Sequence, residues 1–215
     1  MAIVPRMFTV LMGNTKSSSK NVWRAKMLQS RLQLGPEKTS QLNREICKNL
    51  SFVWAMGGSL EKNDASPLWF AYKSFRWEAD PQQAVIDSSP YIRWAFPRIT
   101  SDSQMEFFIP DATNSLWSKN SWGLWEPDPR TATPALIQTC VGVLVPGVAF
   151  DRQGQRLGYG KGFYDRALTG FKGLKIGVAF SVQLSSEPLP SDDSDIKMDL
   201  IVTEKEIIKL GEARH

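Results

Sequence analysis

The chain has 215 residues, a formal net charge of +4 and 42% hydrophobic residues, which is typical of a globular protein with one large or two small domains. Its two cysteines, Cys47 and Cys140, lie far apart, which excludes a disulfide framework and a paired-cysteine zinc site. The single histidine, His215, ends the sequence and argues against histidine-based catalytic triads and metal centres. The longest strongly apolar run, residues 141–150, contains Pro146 and is too short to span a bilayer.

Positive charge is concentrated at the start of the chain. Residues 1–48 contain nine Lys/Arg and two Asp/Glu, whereas the remaining residues contain seventeen and twenty. A basic segment of this kind attracts nucleic acid, anionic lipid or phosphorylated ligands. Residues 1–12 are apolar apart from Arg6, and we interpret residues 1–19 as an N-terminal arm whose start is either irregular or a first strand.

The first predicted element is a helix at residues 20–34. Ser19 is its expected N-cap and Gly35-Pro36 its stop. Ala25, Leu28 and Leu32 are its predicted apolar stripe. The spacing of four and seven residues places three basic side chains on one side of this helix, namely Lys20, Arg24 and Arg31.

The rest of the chain is predicted to alternate between short helices and strands. Helices are expected at 36–50, from Asp80-Pro81 onward and at 163–171, and strands at 68–72, 94–97, 105–109, 139–145, 174–180 and 200–203. Residues 57–67 form a polar connection, and residues 115–134, which contain three tryptophans, are expected to form an ordered loop. The continuous apolar run at 139–145 is typical of a parallel strand buried on both faces. This alternation predicts a single α/β domain over residues 20–215.

Residues 145–168 carry the clearest chemical signal. A buried strand runs into a loop with glycines at 154, 158, 160 and 162, and the loop opens a helix. Glycines let backbone N–H groups approach a phosphate closely, and a helix start adds partial positive charge. Lys161 lies inside the loop, with Arg156 and Arg166 on either side, so a polyphosphate is the expected ligand. The loop is not a Walker A motif because Gly162 follows Lys161, and its GxGxG spacing differs from the Rossmann fingerprint.

This stretch resembles the signature of the 5-formyltetrahydrofolate cyclo-ligase family, roughly PGxxFDxxGxRLGxGxGYYD, with Phe163 in place of the first tyrosine. Other segments are similar to family motifs in the same order over residues 20–205: Lys20-x-x-x-Arg24, Tyr72 through Glu78, Phe96-Pro97-Arg98, Trp122-Gly123-x-x-Glu126-Pro127 and Met198 through Thr203. With the alternation of elements, the resemblance predicts a three-layer Rossmann-like α/β domain that has a mainly parallel central sheet and flanking helices.

The resemblance implies an ATP- and Mg²⁺-dependent ligase that cyclises 5-formyltetrahydrofolate to 5,10-methenyltetrahydrofolate and releases ADP and phosphate. Both nucleophiles belong to the substrate in such a reaction, so the protein supplies positioning and charge neutralisation. Catalytic contributions are expected from Lys161, Tyr164 and Arg156. The residues expected to bind ATP are Lys20, Arg24, Gly158, Tyr159, Gly160, Lys161, Gly162, Phe163, Tyr164 and Asp165.

The resemblance also implies a folate pocket and a metal site. Tyr72, Glu78, Trp122 and Tyr164 are expected to contact the folate, since a carboxylate pairs well with pterin N–H groups. Asp165 and Asp199 are expected to hold Mg²⁺. The protein is further expected to be a cytoplasmic monomer that binds neither membrane nor nucleic acid.

Two other functions stay open at this point. The basic start favours a non-catalytic member of the same fold that binds nucleic acid, although no established nucleic-acid-binding motif is present. The loop and acidic residues alone also fit an unrelated small-molecule kinase. Each site residue has an ordinary alternative as well: Lys20 and Arg24 as a solvated helix face, Asp165 as a local partner of Arg166, and Trp122 as packing.

Overall fold

The structure is a computed structural model and describes residues 15–56, 66–101 and 104–210, with side chains from Ser19 onward. Of the arm predicted at 1–19, residues 1–14 lie outside the described residues, as does most of the polar connection at 57–67; residues 15–19 belong to a helix and not to an arm. Among the described helices, none combines the length and apolar character that crossing a bilayer requires.

Four helices lie in the described residues: α1 (Thr15–Leu32), α2 (Gly35–Met56), α3 (Gln82–Ser88) and α4 (Phe163–Ala167). Because α1 begins at Thr15, Ser19 lies inside the helix and is not its N-cap. The predicted break after α1 is present, and Gly35 adopts a left-handed φ of 69° there. The helix expected from Asp80-Pro81 onward is α3, whose N-cap is Pro81; the side chain of Asp80, one residue earlier, accepts the N–H of Gln82 at 3.1 Å.

The strands are β1 (Leu68–Phe70), β2 (Arg93–Ile99), β3 (Met105–Pro110), β4 (Trp117–Lys119), β5 (Trp125–Pro127), β6 (Ala132–Ala135), β7 (Gly142–Pro146), β8 (Ala149–Asp151), β9 (Arg156–Leu157), β10 (Leu174–Val178), β11 (Leu184–Ser185), β12 (Leu200–Val202) and β13 (Ile207–Lys209). Eight of them form one sheet in the order β13-β12-β10-β7-β1-β2-β3-β6. Its five central strands, β12 to β2, are parallel, and antiparallel strands flank them on both sides. The predicted mainly parallel α/β sheet is confirmed.

Alternate residues of the central strands point to two different clusters. Trp69 of β1 and Leu144 of β7 pack with the buried side chains of α2 and α3. Phe70 and Val143, their immediate neighbours, pack instead with the cluster that contains Leu168 at the end of α4. Both faces of the parallel strands are therefore covered, which explains why these strands are apolar throughout.

Residues 115–134 are more regular than a loop. β4 and β5 pair as an antiparallel hairpin, and β6 joins the edge of the main sheet. The buried carboxylate of Glu126 accepts the backbone N–H of Ile99 at 2.9 Å and Asn120 Nδ2 at 2.7 Å, which fastens the hairpin to β2. The segment predicted as an ordered loop is ordered but contains three short strands, since a tertiary anchor holds strands that are only three or four residues long.

Candidate active site

One cleft of about 1060 Å³ opens at the carboxyl end of the parallel strands. After β1 the chain crosses over to β2, whereas after β7 it crosses in the opposite direction to β10. Neighbouring strands whose connections leave in opposite directions create a crevice beyond their carboxyl ends, the usual ligand site of open α/β sheets. Pro146 at the end of β7 and Tyr72 just beyond β1 both line this cleft.

The glycine loop forms one wall of the cleft, and cationic side chains lie against its backbone. Arg24 Nε donates to the carbonyl of Gly158 at 2.8 Å, and a Cβ on Gly160 would lie 3.3 Å from the Arg24 guanidinium. Gly160 itself has a φ of 97°, which L residues rarely adopt. The loop therefore has two reasons to contain glycine here, namely its backbone conformation and the close approach of an arginine. The helix that follows it, α4, has only five residues, so it is shorter than the predicted helix at 163–171.

Arg156 and Asp165 form a buried ion pair beneath the loop. One guanidinium nitrogen, Nη2, lies 2.9 Å and 3.0 Å from the two carboxylate oxygens, and Arg156 is only 6% exposed. The Arg156 guanidinium also lies 5.5 Å from the ring centre of Tyr164. Burial, together with the nearby charge of Glu78, raises the pKa of Tyr164 above its usual range, so this phenol stays neutral and can donate a hydrogen bond.

Lys20 reaches the cleft from α1 and contacts an acidic loop. Its ammonium lies 2.8 Å from Asp192 and 2.7 Å from Asp195. Burial lowers the pKa of Lys20, but the hydrogen bonds with both carboxylates outweigh this effect and raise it. The side of α1 that carries Lys20 and Arg24 thus faces a ligand-sized cleft and not bulk solvent.

Glu78 lies at the other end of the cleft, in a sharp turn after β1. It is 7% exposed, and its Oε2 accepts the N–H of Phe75 at 3.0 Å. Burial raises the pKa of Glu78 to about 7, while the Phe75 hydrogen bond and the charges of Arg31 and Arg156 oppose that rise. A buried carboxylate with free lone pairs in a cleft is suited to accept N–H donors from a ligand.

Aromatic side chains of the β4–β5 hairpin close the remaining side. Trp122 lies 5.9 Å from the ring of Phe163, and the Lys161 ammonium lies 5.9 Å from the centre of the Trp122 ring. Phe163 therefore has a packing role in which a hydroxyl is not required. The cleft therefore combines a loop with nearby cations, which suits phosphate groups, and an aromatic pocket with the carboxylate of Glu78, which suits a ring with N–H donors. Two different ligands can bind in such a cleft.

A comparison with protein families agrees with this geometry. Residues 16–204 match the model of the 5-formyltetrahydrofolate cyclo-ligase family, which is most of the chain. The chain belongs to this family.

Individual members of the cyclo-ligase family align at modest identity. A probable 5-formyltetrahydrofolate cyclo-ligase of Schizosaccharomyces pombe is 32% identical over 127 residues, 53% of this chain and 62% of the relative. The enzyme of Haemophilus influenzae is 32% identical over 99 residues, 44% of this chain and 51% of its own. The matched segments thus span less than two thirds of these two relatives. The enzyme of Mycoplasma pneumoniae is 26% identical over 196 residues, 86% of this chain and 99% of its own.

Two solved structures share the fold. The 5,10-methenyltetrahydrofolate synthetase of Aquifex aeolicus superposes with a TM-score of 0.75 at 29% identity and covers 91% of this chain and 95% of its own. The Mycoplasma pneumoniae synthetase superposes with a TM-score of 0.67 at 24% identity and covers 86% and 98%. The mixed α/β fold with a large, mainly parallel sheet is the fold of these synthetases.

The cleft collects almost every site residue that the sequence predicted. Its lining includes Lys20, Arg24, Tyr72, Glu78, Trp122, Arg156, Gly158, Tyr159, Gly160, Lys161, Gly162, Phe163, Tyr164 and Asp165. Asp199 is the exception. It lies at the amino end of β12, where its carboxylate accepts the backbone N–H of Lys175 at 2.8 Å and pairs with the Lys175 ammonium at 2.7 Å. The cleft lies at the carboxyl end of the parallel strands, so the predicted pairing of Asp165 with Asp199 is not formed.

Sequence reasoning missed a second group of cleft residues. The acidic loop contributes Asp192, Asp193 and Asp195, and β2, β3 and the hairpin contribute the apolar side chains Pro97, Ile99, Met105, Leu124 and Trp125. The run Asp-Asp-Ser-Asp at 192–195 is a visible signal of charge, but it is equally typical of an exposed turn. Only the contact with Lys20 distinguishes the two.

Proposed function

We propose that this chain uses ATP to cyclise 5-formyltetrahydrofolate to 5,10-methenyltetrahydrofolate, with release of ADP and phosphate. The observation that carries the proposal is one cleft that contains both the cation-lined glycine loop and the buried carboxylate Glu78. Family membership supports the same activity.

The chemistry explains why such a site needs no protein nucleophile. The formyl oxygen of the substrate attacks the γ-phosphorus of ATP, the bond to the β-phosphate oxygen breaks, and ADP leaves. The resulting imidate phosphate carries a good leaving group. The amine N10 of the folate then attacks the formyl carbon, loses its proton, and phosphate departs as the five-membered ring closes. Positioning and charge neutralisation are what the protein must supply.

The described side chains can be assigned to these requirements. The glycine loop and Lys161, with Lys20 and Arg24 from α1, hold the polyphosphate. We assign Tyr164, whose hydroxyl stays neutral, and Arg156, whose guanidinium lies 5.5 Å from the Tyr164 ring centre, to the transferred phosphoryl group. Glu78 accepts the pterin N–H groups, and Tyr72 and Trp122, which line the same cleft, contact the folate.

Mg²⁺ fits a different acidic pair from the one predicted. Asp165 and Asp195 both line the cleft, and the N–H of Ile196, next to Asp195, donates to Asp165 at 3.3 Å. Among the described residues no group of three or more acidic, cysteine or histidine side chains is arranged to hold a metal. Mg²⁺ is commonly held by one or two carboxylates together with substrate phosphates, so this donor set suits an ion that arrives with ATP. When bound, the ion neutralises phosphate charge.

Two finer expectations accompany the proposal. The packing of α2 and α3 on one sheet face and α4 on the other supports a three-layer Rossmann-like arrangement. Lys20 and Arg24 line the cleft and Arg31 is buried, so few of the basic residues of α1 are left for a phosphate backbone, which disfavours the nucleic-acid alternative. A cytoplasmic, monomeric protein stays a prediction.

The direct test is an absorbance assay with 5-formyltetrahydrofolate, ATP and Mg²⁺, because the methenyl product absorbs in the near ultraviolet. We expect product and phosphate in equal amounts, and neither without ATP. 5-Methyltetrahydrofolate is the matched control, since it lacks the oxygen that accepts phosphate. Phosphate release with that compound, or no product from the formyl substrate, would contradict the proposal.

A further inference from the structure

Among the side chains of α1 that the structure describes, Arg31 is the most deeply buried basic one, with 2% exposure, and the activity proposed above assigns it no role. Its guanidinium reaches three segments around the cleft. Nη2 donates to the hydroxyl of Tyr159 at 2.6 Å and to the carbonyl of Arg76 at 2.9 Å, and Nη1 donates to the carbonyl of Gly147 at 3.4 Å. One side chain thus joins the glycine loop, the Glu78 turn and the end of β7.

The Glu78 turn is a segment that needs such support. Arg76 and Trp77 adopt positive φ values of 46° and 65°, which is unusual for residues other than glycine. Conformations of this kind persist where surrounding contacts enforce them, and they cluster at ligand sites. The carbonyl held by Arg31 belongs to the first of these two residues, two positions before Glu78.

Tyr159 completes the link from the nucleotide side. Its ring contacts Phe75 edge-on, with centroids 6.5 Å apart, and the Arg31 guanidinium lies 5.9 Å from its centre. Tyr159 is a residue of the glycine loop, and Phe75 is the residue whose N–H binds Glu78. The two halves of the cleft therefore touch at this pair, and Arg31 lies beneath it.

The burial of Arg31 is costly. Its Nε has no hydrogen-bond partner among the residues that the structure describes, and an unsatisfied buried donor destabilises a fold. Because burying this charged side chain destabilises the fold, a functional role explains Arg31 better than a purely structural one.

We propose that Arg31 is a positioning residue that fastens the Glu78 turn to the glycine loop through Tyr159, so that the nucleotide loop helps to shape the folate pocket. This inference rests on the proposed function. It means that the hydroxyl of Tyr159, on the ATP side of the cleft, affects the affinity for folate.

The test is a double-mutant cycle on the dissociation constant of 5-formyltetrahydrofolate. Calorimetry measures it for the wild type, R31M, Y159F and the double variant, with a non-hydrolysable ATP analogue at saturation. We expect R31M to weaken folate binding about tenfold and Y159F about threefold, which is the range that a typical intramolecular hydrogen bond contributes. The double variant should bind no more weakly than R31M alone, because both changes break the same link. K26M, an exposed change on the same helix, is the matched control and should leave affinity unchanged.

Additive losses, or an unaltered folate affinity in Y159F, would overturn the inference, because a residue that only stabilises the fold gives no coupling to one remote hydroxyl. If R31M does not fold, R31K takes its place in the cycle: it keeps the charge but lacks the planar fork, and the same non-additivity is expected. Turnover of the wild type is assayed separately. An inactive wild type that still shows the coupling would contradict the catalytic proposal and leave the positioning role intact, whereas absence of folate binding would overturn both.

Discussion

The ammonium of Lys20 lies 2.7 Å from the carboxylate of Asp195, within a loop that otherwise carries two further acidic residues in the cleft. A cation that suits a phosphate is therefore paired with a protein carboxylate. Bound phosphates would bring more negative charge toward Asp195, and a divalent cation offsets that repulsion. We therefore expect the phosphates of the nucleotide and the divalent cation to bind next to Lys20 and Asp195.

The first prediction concerns the metal. D195N should raise the Mg²⁺ concentration for half-maximal activity about tenfold, because a neutral amide is a weaker ligand for a hard cation than a carboxylate. D199N is the matched change at the amino end of β12, and it should leave the Mg²⁺ titration unaltered. A shift in D199N with none in D195N would favour the metal pair expected from the sequence over the one in the cleft.

The second prediction concerns Lys161. K161A should lower the rate of product formation about a hundredfold, as is typical when a charged group that stabilises a transition state is removed. K172A removes another exposed lysine, one that follows α4 and does not line the cleft, and should retain wild-type activity. Unchanged turnover of K161A at saturating ATP would exclude Lys161 from the reaction.

The third prediction concerns stability and the pKa of Glu78. Because burial raises that pKa from 4.5 in the unfolded chain to about 7, the folded protein binds the Glu78 proton more tightly. This contribution is fully present below pH 4.5 and is lost as the pH rises through 7. Relative to the wild type, E78Q should therefore gain up to about 3 kcal/mol of unfolding free energy between pH 4.5 and pH 8. Urea unfolding at both pH values measures the difference, and a constant difference would show that folding does not raise the pKa of Glu78.

The fourth prediction applies the same pKa to folate binding. Pterin N–H donors require the carboxylate form of Glu78, so folate affinity should fall about tenfold for each pH unit below 7. E78Q should bind folate more weakly at pH 8 and lose this pH dependence, while its ATP affinity is unaffected. Calorimetric titrations at several pH values measure both ligands, and an equal loss of both affinities would indicate misfolding instead.

The fifth prediction compares two glycines with similar backbone conformation. Gly160 and Gly170 have φ values of 97° and 74°, but a Cβ would meet Arg24 only at Gly160 and nothing within 4 Å at Gly170. G160A and G170A should both lose about 1–2 kcal/mol of stability, the usual cost of a left-handed alanine. Only G160A should weaken ATP binding as well, and an equal effect of G170A on ATP affinity would show that the loss comes from strain alone.

The sequence by itself determined the features that depend on local spacing. The glycine loop was recognisable because glycine positions and an included lysine lie within a few residues of one another. The spacing of Lys20, Arg24 and Arg31 placed them on one side of a helix, where Lys20 and Arg24 do line the cleft and Arg31 is buried against the segments around it. The continuous apolar run in β7 was sufficient to predict a strand covered on both faces, since polar side chains have no place there.

The tertiary structure decided what those local features contact. The predicted apolar stripe of α1 included Leu32, yet Leu32 is 60% exposed and the neighbouring Arg31 is buried. The apolar contact of α1 is made by Met27, with Trp23 and Leu28, against a cluster that contains Val148 and Leu157. Asp195 and Asp199 are four residues apart, but one lines the cleft and the other caps the amino end of β10. Which edge of the sheet a residue reaches depends on strand direction and on the order in which distant strands pair, and these are properties of the whole chain that no short pattern contains.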